Sequence, residues 1–413
     1  MEETVKTILH SMSRLKLPQI KMMMTLLGGF CFYQGRANMT NLARFVDESL
    51  STVWRWSRRQ FDYAEFNLLL IAKMAGYSDH QFVAAVDASF IRKSGKHTYG
   101  VSRFYNGCAS RVEKGLEISC IAAIDRTLNT AFALEAIQSK VPPKQSKVPT
   151  KKDKADKSEK ESNSITHLLE ALQGHKNSFK GLGIDTLVAD GWYAKKSFID
   201  GLQSQDLHLV CKLRVDANIR YVNTAPYSGR GRPRTYGDKI DLFTLTDFDK
   251  VEIDTHLVGF SKVVYAVAFK RFIHVVVIRS KDDLERNLAI LFSTNVDESA
   301  AEIVSIYQSR FQIEFLFRDA KQHCGLEDCQ ARNEQALYNH FNNSLTAVNL
   351  LKFEELNMGK AQEQQVISIA SARRRKTNLH VAESIFSRLD QELSCDKIGE
   401  IMEYIDKISD IAA

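Results

Sequence analysis

Apolar residues change their period several times along the chain, and each change marks an element. From residue 1 to about 75 the sequence is rich in helix formers. Within it, "MTNLARFVDESLSTVWRWSRR" puts Leu42, Phe45 and Val46 on one apolar face and breaks across Asp47 to Leu50. Ser51 can then cap a second helix carrying Val53, Trp54 and Trp56. The period next shortens to that of strands. "FVAAVDASFI" is an apolar, β-branched run ending in Asp87, and "LEISCIAAID" and "TAFALEAI" follow as two further strands around the turn "DRTLN". Residues 139–163 hold three of the six prolines and eight lysines, which predicts a disordered basic loop. Alternation returns with a helix capped by Ser164, the strand "TLVAD" ending at Asp190, the turn and helix of "GWYAKKSFIDGLQSQ" and the strand "LHLVCKLR". Such β-α-β order after an opening meander predicts an α/β fold with a mixed sheet. Residues 215–292 alternate in strand fashion and read as a β-rich insertion before the helices of 293–355; residues 356–413 read as a helical tail with the basic cluster "ARRRKTN".

One segment breaks the rule that a greasy helix is greasy throughout. "YQSRFQIEFLFRDAK", residues 307–321, reads as a single helix with Tyr307, Arg310, Glu314 and Lys321 set among Phe, Ile and Leu. At about 100° per residue, Arg310, Glu314 and Lys321 fall at roughly −60°, −20° and −40° from Tyr307. The four share one narrow stripe, while Ile313, Phe315, Leu316 and Phe317 are free to pack elsewhere. An Arg310–Glu314 ion pair at i,i+4 would be the plain explanation on an isolated helix. A rigidly held carboxylate flanked by donors for anionic oxygens is the other reading, and it matches what a phosphodiester site requires.

Composition narrows the setting. A length of 413 residues predicts two to four domains, and 44% hydrophobic with 26% charged residues is an ordinary globular mixture. No apolar run reaches the roughly 18 residues of a membrane span. The N-terminus lacks the layout of a secretory signal, so a cytoplasmic protein without membrane partners is expected. Lys and Arg (56) exceed Asp and Glu (50), for a net charge of +6 that permits nucleic-acid binding. The seven cysteines are scattered and odd in number, as in a reduced chain. In "HCGLEDC", His323, Cys324 and Cys329 lack a second ligand pair at zinc spacing, and the clustering reads as chance.

Two aspartates change the meaning of the stripe. Asp87 and Asp190 each end an expected strand, and strand ends of open α/β sheets are where sites collect. With Glu314 they would gather six oxygens, a donor set suited to Mg²⁺ or Mn²⁺. Two ions about 4 Å apart could activate a nucleophile and stabilise a leaving oxygen. Two stretches offer contacts to DNA. The second short helix near the N-terminus carries Thr52, Arg55, Arg58 and Arg59 and fits a helix-turn-helix. "SGRGRPRTYG" sets Arg230, Arg232 and Arg234 around Gly and Pro, as in extended elements that enter a minor groove, or simply as a basic loop.

The order Asp, Asp, Glu, with the glutamate on a Tyr-x-x-Arg-x-x-x-Glu-x(6)-Lys helix, resembles the DDE transposases of bacterial insertion sequences. The likeness is to the subgroup with the Y-R-E-K signature and a β-strand insertion before the glutamate, and it covers roughly residues 80–355; "DGWY" fits the second-aspartate motif. The resemblance implies an RNase H-like catalytic domain in two parts (76–214 and 293–355) interrupted by the insertion, behind an N-terminal helical DNA-binding domain (1–75). It implies Asp87, Asp190 and Glu314 as ligands of two Mg²⁺ ions, with Mn²⁺ able to substitute. Metal-activated water would nick the transposon end, and the released 3′-hydroxyl would attack target DNA. Tyr307, Arg310 and Lys321 carry over as DNA-backbone contacts. Double-stranded DNA as partner, a homodimer bridging two ends and a nucleoid-associated place in a bacterial cell follow from the same likeness. Relatives that cut through a hairpin stack a flipped base on a tryptophan in the insertion. This chain has only Trp54, Trp56 and Trp192, which leaves Trp192, Phe260, Tyr265 or Phe272 to stack a base.

Other readings fit less of the pattern. "SGKH" at 94–97 lacks the glycine and the Ser/Thr of a phosphate-binding loop. A glycosidase using Asp87 and Asp190 gives the Arg and Lys of the stripe no task. An RNase H-like nuclease without strand transfer and a non-catalytic DNA-binding protein stand as alternatives.

Overall fold

The structure, a computed structural model, describes residues 1–74, 80–139, 153–223, 234–358, 367–387 and 395–409. Five helices come first: α1 (Glu2–Ser11), α2 (Leu17–Phe32), α3 (Met39–Leu42), α4 (Leu50–Trp56) and α5 (Tyr63–Met74). Pro18 stands in the first turn of α2, where its missing N–H costs nothing, and the Gln19 side chain closes that end by accepting from the Lys16 N–H at 3.1 Å. The expected pair of short helices exists in altered form. Its first member spans only Met39–Leu42, and the second is capped by Ser49, whose hydroxyl accepts from the Thr52 N–H at 3.4 Å. Ser51 lies inside the helix because Leu50 already joins it.

Four strands follow: β1 (Phe82–Arg92), β2 (Ser102–Asn106), β3 (Arg111–Asp125) and β4 (Thr130–Gln138). β1 does not end at Asp87. It pairs antiparallel with β3 along its whole length, from Phe82↔Asp125 to Arg92↔Gly115, with Asp87 opposite Cys120. Nor was β2 foreseen; "SRFYN" is a short half-exposed strand whose alternation is weak. β4 and β2 lie one after the other along the second edge of β3.

Helix α6 (Asp153–Gly174) begins eleven residues before Ser164, so the disordered loop expected over 139–163 is helical from Asp153; residues 140–152 lie outside the described residues. Lys, Glu and Ala are strong helix formers, and they outweigh the low hydrophobicity that suggested disorder. After α7 (Lys176–Gly181) come β5 (Thr186–Ala189), one 3₁₀ turn (Gly191–Tyr193), α8 (Lys196–Gln203) and β6 (His208–Lys212). β1, β5 and β6 are parallel neighbours.

The β-rich segment contributes β7 (Ile219–Val222), β8 (Tyr236–Lys239), β9 (Asp249–Glu252), β10 (Leu257–Ala266), β11 (Arg271–Ser280) and β12 (Asn287–Ser293). It continues the sheet: β12 pairs antiparallel with β6, β11 with β12 and β10 with β11. The result is a twelve-stranded mixed sheet whose main path reads β2-β3-β1-β5-β6-β12-β11-β10-β7-β8, with β4 on β3 and β9 on β10.

Five helices close the chain: α9 (Ala300–Ser309), α10 (Phe311–His323), α11 (Glu334–Asn357), α12 (Ile369–Phe386) and α13 (Cys395–Ser409). α11 is buried along most of its length and packs on β4, α2 and α5. Two of its asparagines cover the open edge of β4. Asn342 accepts from the Ala136 N–H at 2.8 Å and donates to the Ala136 carbonyl at 2.9 Å, and Asn349 does the same for Ala133 at 3.0 and 2.8 Å. Edge amides that would otherwise invite another strand are thereby paired. Leu26, Leu27 and Phe30 of α2 and Phe66, Leu70 and Ile71 of α5 join the sheet residues in one apolar core, so the N-terminal helices are fixed against the sheet. No helix among the described residues is long and apolar enough to cross a membrane.

Candidate active site

Register brings the two aspartates together. β1 and β5 pair in parallel through Val86↔Ala189, and β5 stops there. Continued by one residue, that register sets Asp87 beside Asp190. Asp87 therefore sits at the lateral end of β5, although its own strand runs on. After Asp190 the backbone turns through Gly191, where a Cβ would meet the Lys212 carbonyl at 3.3 Å. The Cys211 thiol donates to the Asp190 carbonyl at 3.1 Å and pins the turn to β6. Tyr193, buried below, leads into α8.

The third acid comes from a helix that is not one helix. Residues 300–323 form α9 and α10, which meet at Arg310. Ser309 donates its hydroxyl back to the Ile306 carbonyl at 2.7 Å, a contact that bends helices. Bonds three residues apart, from the Arg310 N–H to Tyr307 and from the Ile313 N–H to Arg310, tighten the junction. The single helix expected over 307–321 thus breaks at the stripe's own arginine. Ile313, Leu316 and Phe317 are buried as expected, whereas Phe315 is 43% exposed and lies beneath Arg318.

Arg310 is the hub. It is 8% exposed. One terminal nitrogen lies 3.8 Å from Asp87 Oδ2, and the other donates to Glu314 Oε1 at 2.6 Å. Its guanidinium stands over the rings of Tyr307 and Phe311 at 5.7 and 5.3 Å. Burial opposes its charge, but Tyr307, Glu314 and Asp87 outweigh burial and raise its pKa. Its buried Nε has no hydrogen-bond partner among the described residues.

Asp87 carries the largest electrostatic tension in the crevice. Burial pushes its carboxyl up to about 6, against the Ala88 N–H, which donates to it at 2.8 Å, and against Arg310; Glu314 and Asp190 push the same way as burial. Tyr307 is also raised, by burial first, with Arg310 opposing and Asp190 adding to the rise. Asp87 thus feels Arg310, Glu314 and Asp190, and Tyr307 feels Arg310 and Asp190. They are not closed into a cage: no three His, Cys, Asp or Glu side chains among the described residues form a metal-binding group. Glu314 is held by Arg310 instead. Two aspartates in lateral register are oxygen donors of the kind that hard cations take.

The remaining sequence candidates fall in different places. Lys321 donates to the Phe90 carbonyl of β1 at 3.1 Å and pairs with Glu327 at 3.2 Å, so it clamps α10 to the strand that bears Asp87. Trp192 is 42% exposed beside Asp190, with the Lys195 ammonium 3.6 Å from its ring centre. Sequence reading missed Lys195; a cation three residues after an exposed aromatic on a turn was its only signal. Arg55 is exposed on α4, but the helix ends at Trp56, so Arg58 and Arg59 lie beyond it rather than on it; Arg58, exposed, stands over Trp54 at 5.3 Å. Arg234 is exposed, while Arg230 and Arg232 lie outside the described residues. Phe272 is 40% exposed and meets Tyr265 edge to face at 5.3 Å, within a stack that includes Tyr236. Cys324 and Cys329 are buried and belong to no metal-binding group among the described residues.

A comparison with family models matches residues 17–253 to the DDE superfamily endonucleases. The match takes in the N-terminal helices from α2 onward, Asp87, Asp190 and part of the β-rich segment, and ends before α10. No curated protein matches the chain. With more than half of its length matched, and with two aspartates in lateral register inside the matched region, this chain belongs to the DDE superfamily endonuclease family.

Proposed function

We propose that this protein is the DNA transposase of a bacterial insertion sequence, built on an RNase H-like domain, and that Asp87, Asp190 and Glu314 are its catalytic acids. The observation that carries the reading is Arg310, shared between Asp87 and Glu314 at the end of the β1–β5 pairing. Family membership supports endonuclease chemistry, and the Y-R-E-K spacing of α9 and α10 supports the finer assignment.

The three acids would hold Mg²⁺, with Mn²⁺ as substitute. Such cations, when bound, supply Lewis-acid polarisation and an activated attacking oxygen. The chain's own groups do the rest. Asp87, held up to about 6, is ionised at neutral pH and available as an oxygen ligand. Arg310 orients Glu314 and presents a planar guanidinium suited to phosphate oxygens. The Tyr307 ring supports that guanidinium, and Lys321 positions α10 through Phe90. Trp192 and Lys195 offer a stacking face and a cation next to Asp190. Water attacks phosphorus as the P–O3′ bond breaks, leaving a 3′-hydroxyl. That hydroxyl attacks a target phosphodiester, forming a new P–O3′ bond as the target's own breaks. Arg55 on α4, Arg58 just after it and the arginines at 230, 232 and 234 would bind the ends, and two copies would bridge two ends.

The test uses purified protein, Mg²⁺, DNA bearing the inverted repeats that flank the coding region, and a target plasmid. Nicks with 3′-hydroxyls and joined products are expected. Asp190→Asn and Glu314→Gln should bind these ends but cut about 10³-fold more slowly. Parental cutting rates in those variants would sink the assignment. Cutting without joined products would leave a nuclease.

A further inference from the structure

Between Arg92 and Lys114 the chain carries six basic residues against one acid, Glu113, and so supplies most of the net charge of +6. The acid is already taken by Arg111 at 2.6 Å. This stretch contains β2 and the first part of β3, which form a two-stranded ribbon. β1 ends at Arg92↔Gly115, so residues 111–114 of β3 pair with β2 alone.

Pairing fixes which way the ribbon's side chains face. Asp87 is opposite Cys120, and residues opposite each other in an antiparallel pair share a face. Even-numbered residues of β3 therefore share the face of Asp87. These include Lys114, opposite Arg103, and Val112, opposite Tyr105. At about 3.4 Å per residue, Lys114 and Arg103 stand roughly 20 Å beyond Asp87, and Tyr105 and Val112 roughly 27 Å. All four are exposed, Tyr105 by 62% and Val112 by 56%.

Folding explains only part of this arrangement: Lys114 donates to the Ser94 carbonyl at 3.1 Å, yet it still stands opposite Arg103. Like charges directly opposite each other on a sheet are destabilising, and an exposed aromatic at the tip gains nothing from the core. Protection of an edge strand would account for one lysine, not for facing Arg and Lys. An anion lying across the pair accounts for both. A two-stranded ribbon has the cross-section that a DNA major groove admits, and its reach past Asp87 is under one duplex turn of about 34 Å.

We propose that the β2–β3 ribbon is a docking arm for duplex DNA flanking the cut, with Arg103 and Lys114 on phosphates and Tyr105 at the groove. The proposal rests on the reading of Asp87 as part of a DNA-cutting site.

The test is fluorescence anisotropy of the full chain with a labelled 30-bp duplex, in EDTA, over a salt series. Arg103→Ala/Lys114→Ala should bind about 10- to 100-fold more weakly near 100 mM salt, and its log-affinity against log-salt slope should be shallower by about two. Arg103→Lys/Lys114→Arg should bind as the parent does, with melting curves showing that both variants fold. Unchanged affinity and slope in the alanine variant would overturn the arm, as would a parent without duplex affinity at low salt. An alanine variant that loses solubility while its soluble fraction keeps the parental slope would assign the charges to edge protection. A parent that binds in this arm-dependent way but never cuts with Mg²⁺ would sink the nuclease reading and leave the arm standing.

Discussion

Two half-buried carboxylates flank the same strand and have opposite characters. Asp87 lies on β1 and Glu135 on β4, with β3 between them. Glu135 accepts from the Tyr338 hydroxyl at 2.7 Å and from His175 Nε2 at 3.0 Å. Burial pushes its carboxyl up, but His175 and Tyr338 outweigh burial and hold it below the usual range. At Asp87 burial wins, because Arg310 stands off at 3.8 Å and two other acids crowd in. Glu135 also lines a cavity of about 750 Å³ with Arg14, Asp62 and Glu334. A carboxylate with its charge satisfied is structural, and one held in tension is available for chemistry.

The largest expected effect comes from Asp87→Asn. Cleavage should fall about 10³-fold with DNA binding kept. Stability should move the other way. The folded pKa of about 6 lies above the ordinary 3.8, so Asp87 favours the folded state only while protonated. That contribution is complete below about pH 3.8 and gone above pH 6, where the ionised group costs about 3 kcal/mol. Thermal melting of Asp87→Asn should therefore exceed the parent's at pH 7.5 and match it at pH 4. A variant that melts lower at pH 7.5 would mean that Asp87 is satisfied like Glu135, and the contrast would be lost.

Glu135→Gln reverses the effect on stability and leaves cleavage alone. Cleavage should be unchanged, while unfolding free energy falls by about 2–3 kcal/mol as a buried charge-assisted bond is lost. A lowered folded pKa gives stability that is present above the ordinary carboxylate value and lost as pH falls through the folded one. The parent's advantage should therefore shrink on acidification, as read by urea denaturation between pH 4 and 7.5. Loss of cleavage in a well-folded Glu135→Gln protein would move the chemistry toward the large cavity.

Legibility in the sequence followed the range of the interactions involved. The strands through Asp87 and Asp190, and the identities of the clustered Tyr307, Arg310 and Glu314, could be read because apolar periodicity is local. The break at Arg310 could not, since Ser309 and Arg310 are compatible with a continuous helix and bend it only through a side-chain bond to Ile306. The extension of β1 past Asp87 depends on eleven pairings with β3, which no window around Asp87 contains. The contact of Lys321 with the Phe90 carbonyl could not be read either, since the two lie 231 positions apart. Glu135, His175 and Tyr338 drew no notice for the same reason: three separate segments make that site.

Arg310→Gln sharpens the contrast by acting on only one of the two acids. Arg310 lowers the Asp87 pKa, so its loss should raise that pKa further and shift the acid limb of the cleavage profile to higher pH. The rate deficit should grow as pH falls, to about fivefold at pH 6 and toward tenfold below it for a one-unit shift, and be smallest at pH 8. Glu135 and its pH-dependent stability should be unaffected. A uniform deficit at every pH would assign Arg310 to phosphate binding alone.

The smallest effect tests whether Glu135 is held by a network or by His175 alone. Tyr338→Phe removes one hydroxyl and keeps the ring, which packs edge to face on Tyr63 at 5.8 Å. Losing a single hydrogen bond to a carboxylate should cost about 1–2 kcal/mol. With one donor gone, the Glu135 pKa should rise toward its ordinary value, so the stability lost on acidification should be smaller, and complete at higher pH, than in the parent. Denaturation midpoints between pH 3 and 7 would show that difference, and DNA cleavage at neutral pH should match the parent's. Equal midpoints at every pH would mean that His175 alone neutralises Glu135. The opposition between the acids would then reduce to one ion pair that Glu135 has and Asp87, with Arg310 at 3.8 Å and turned toward Glu314, lacks.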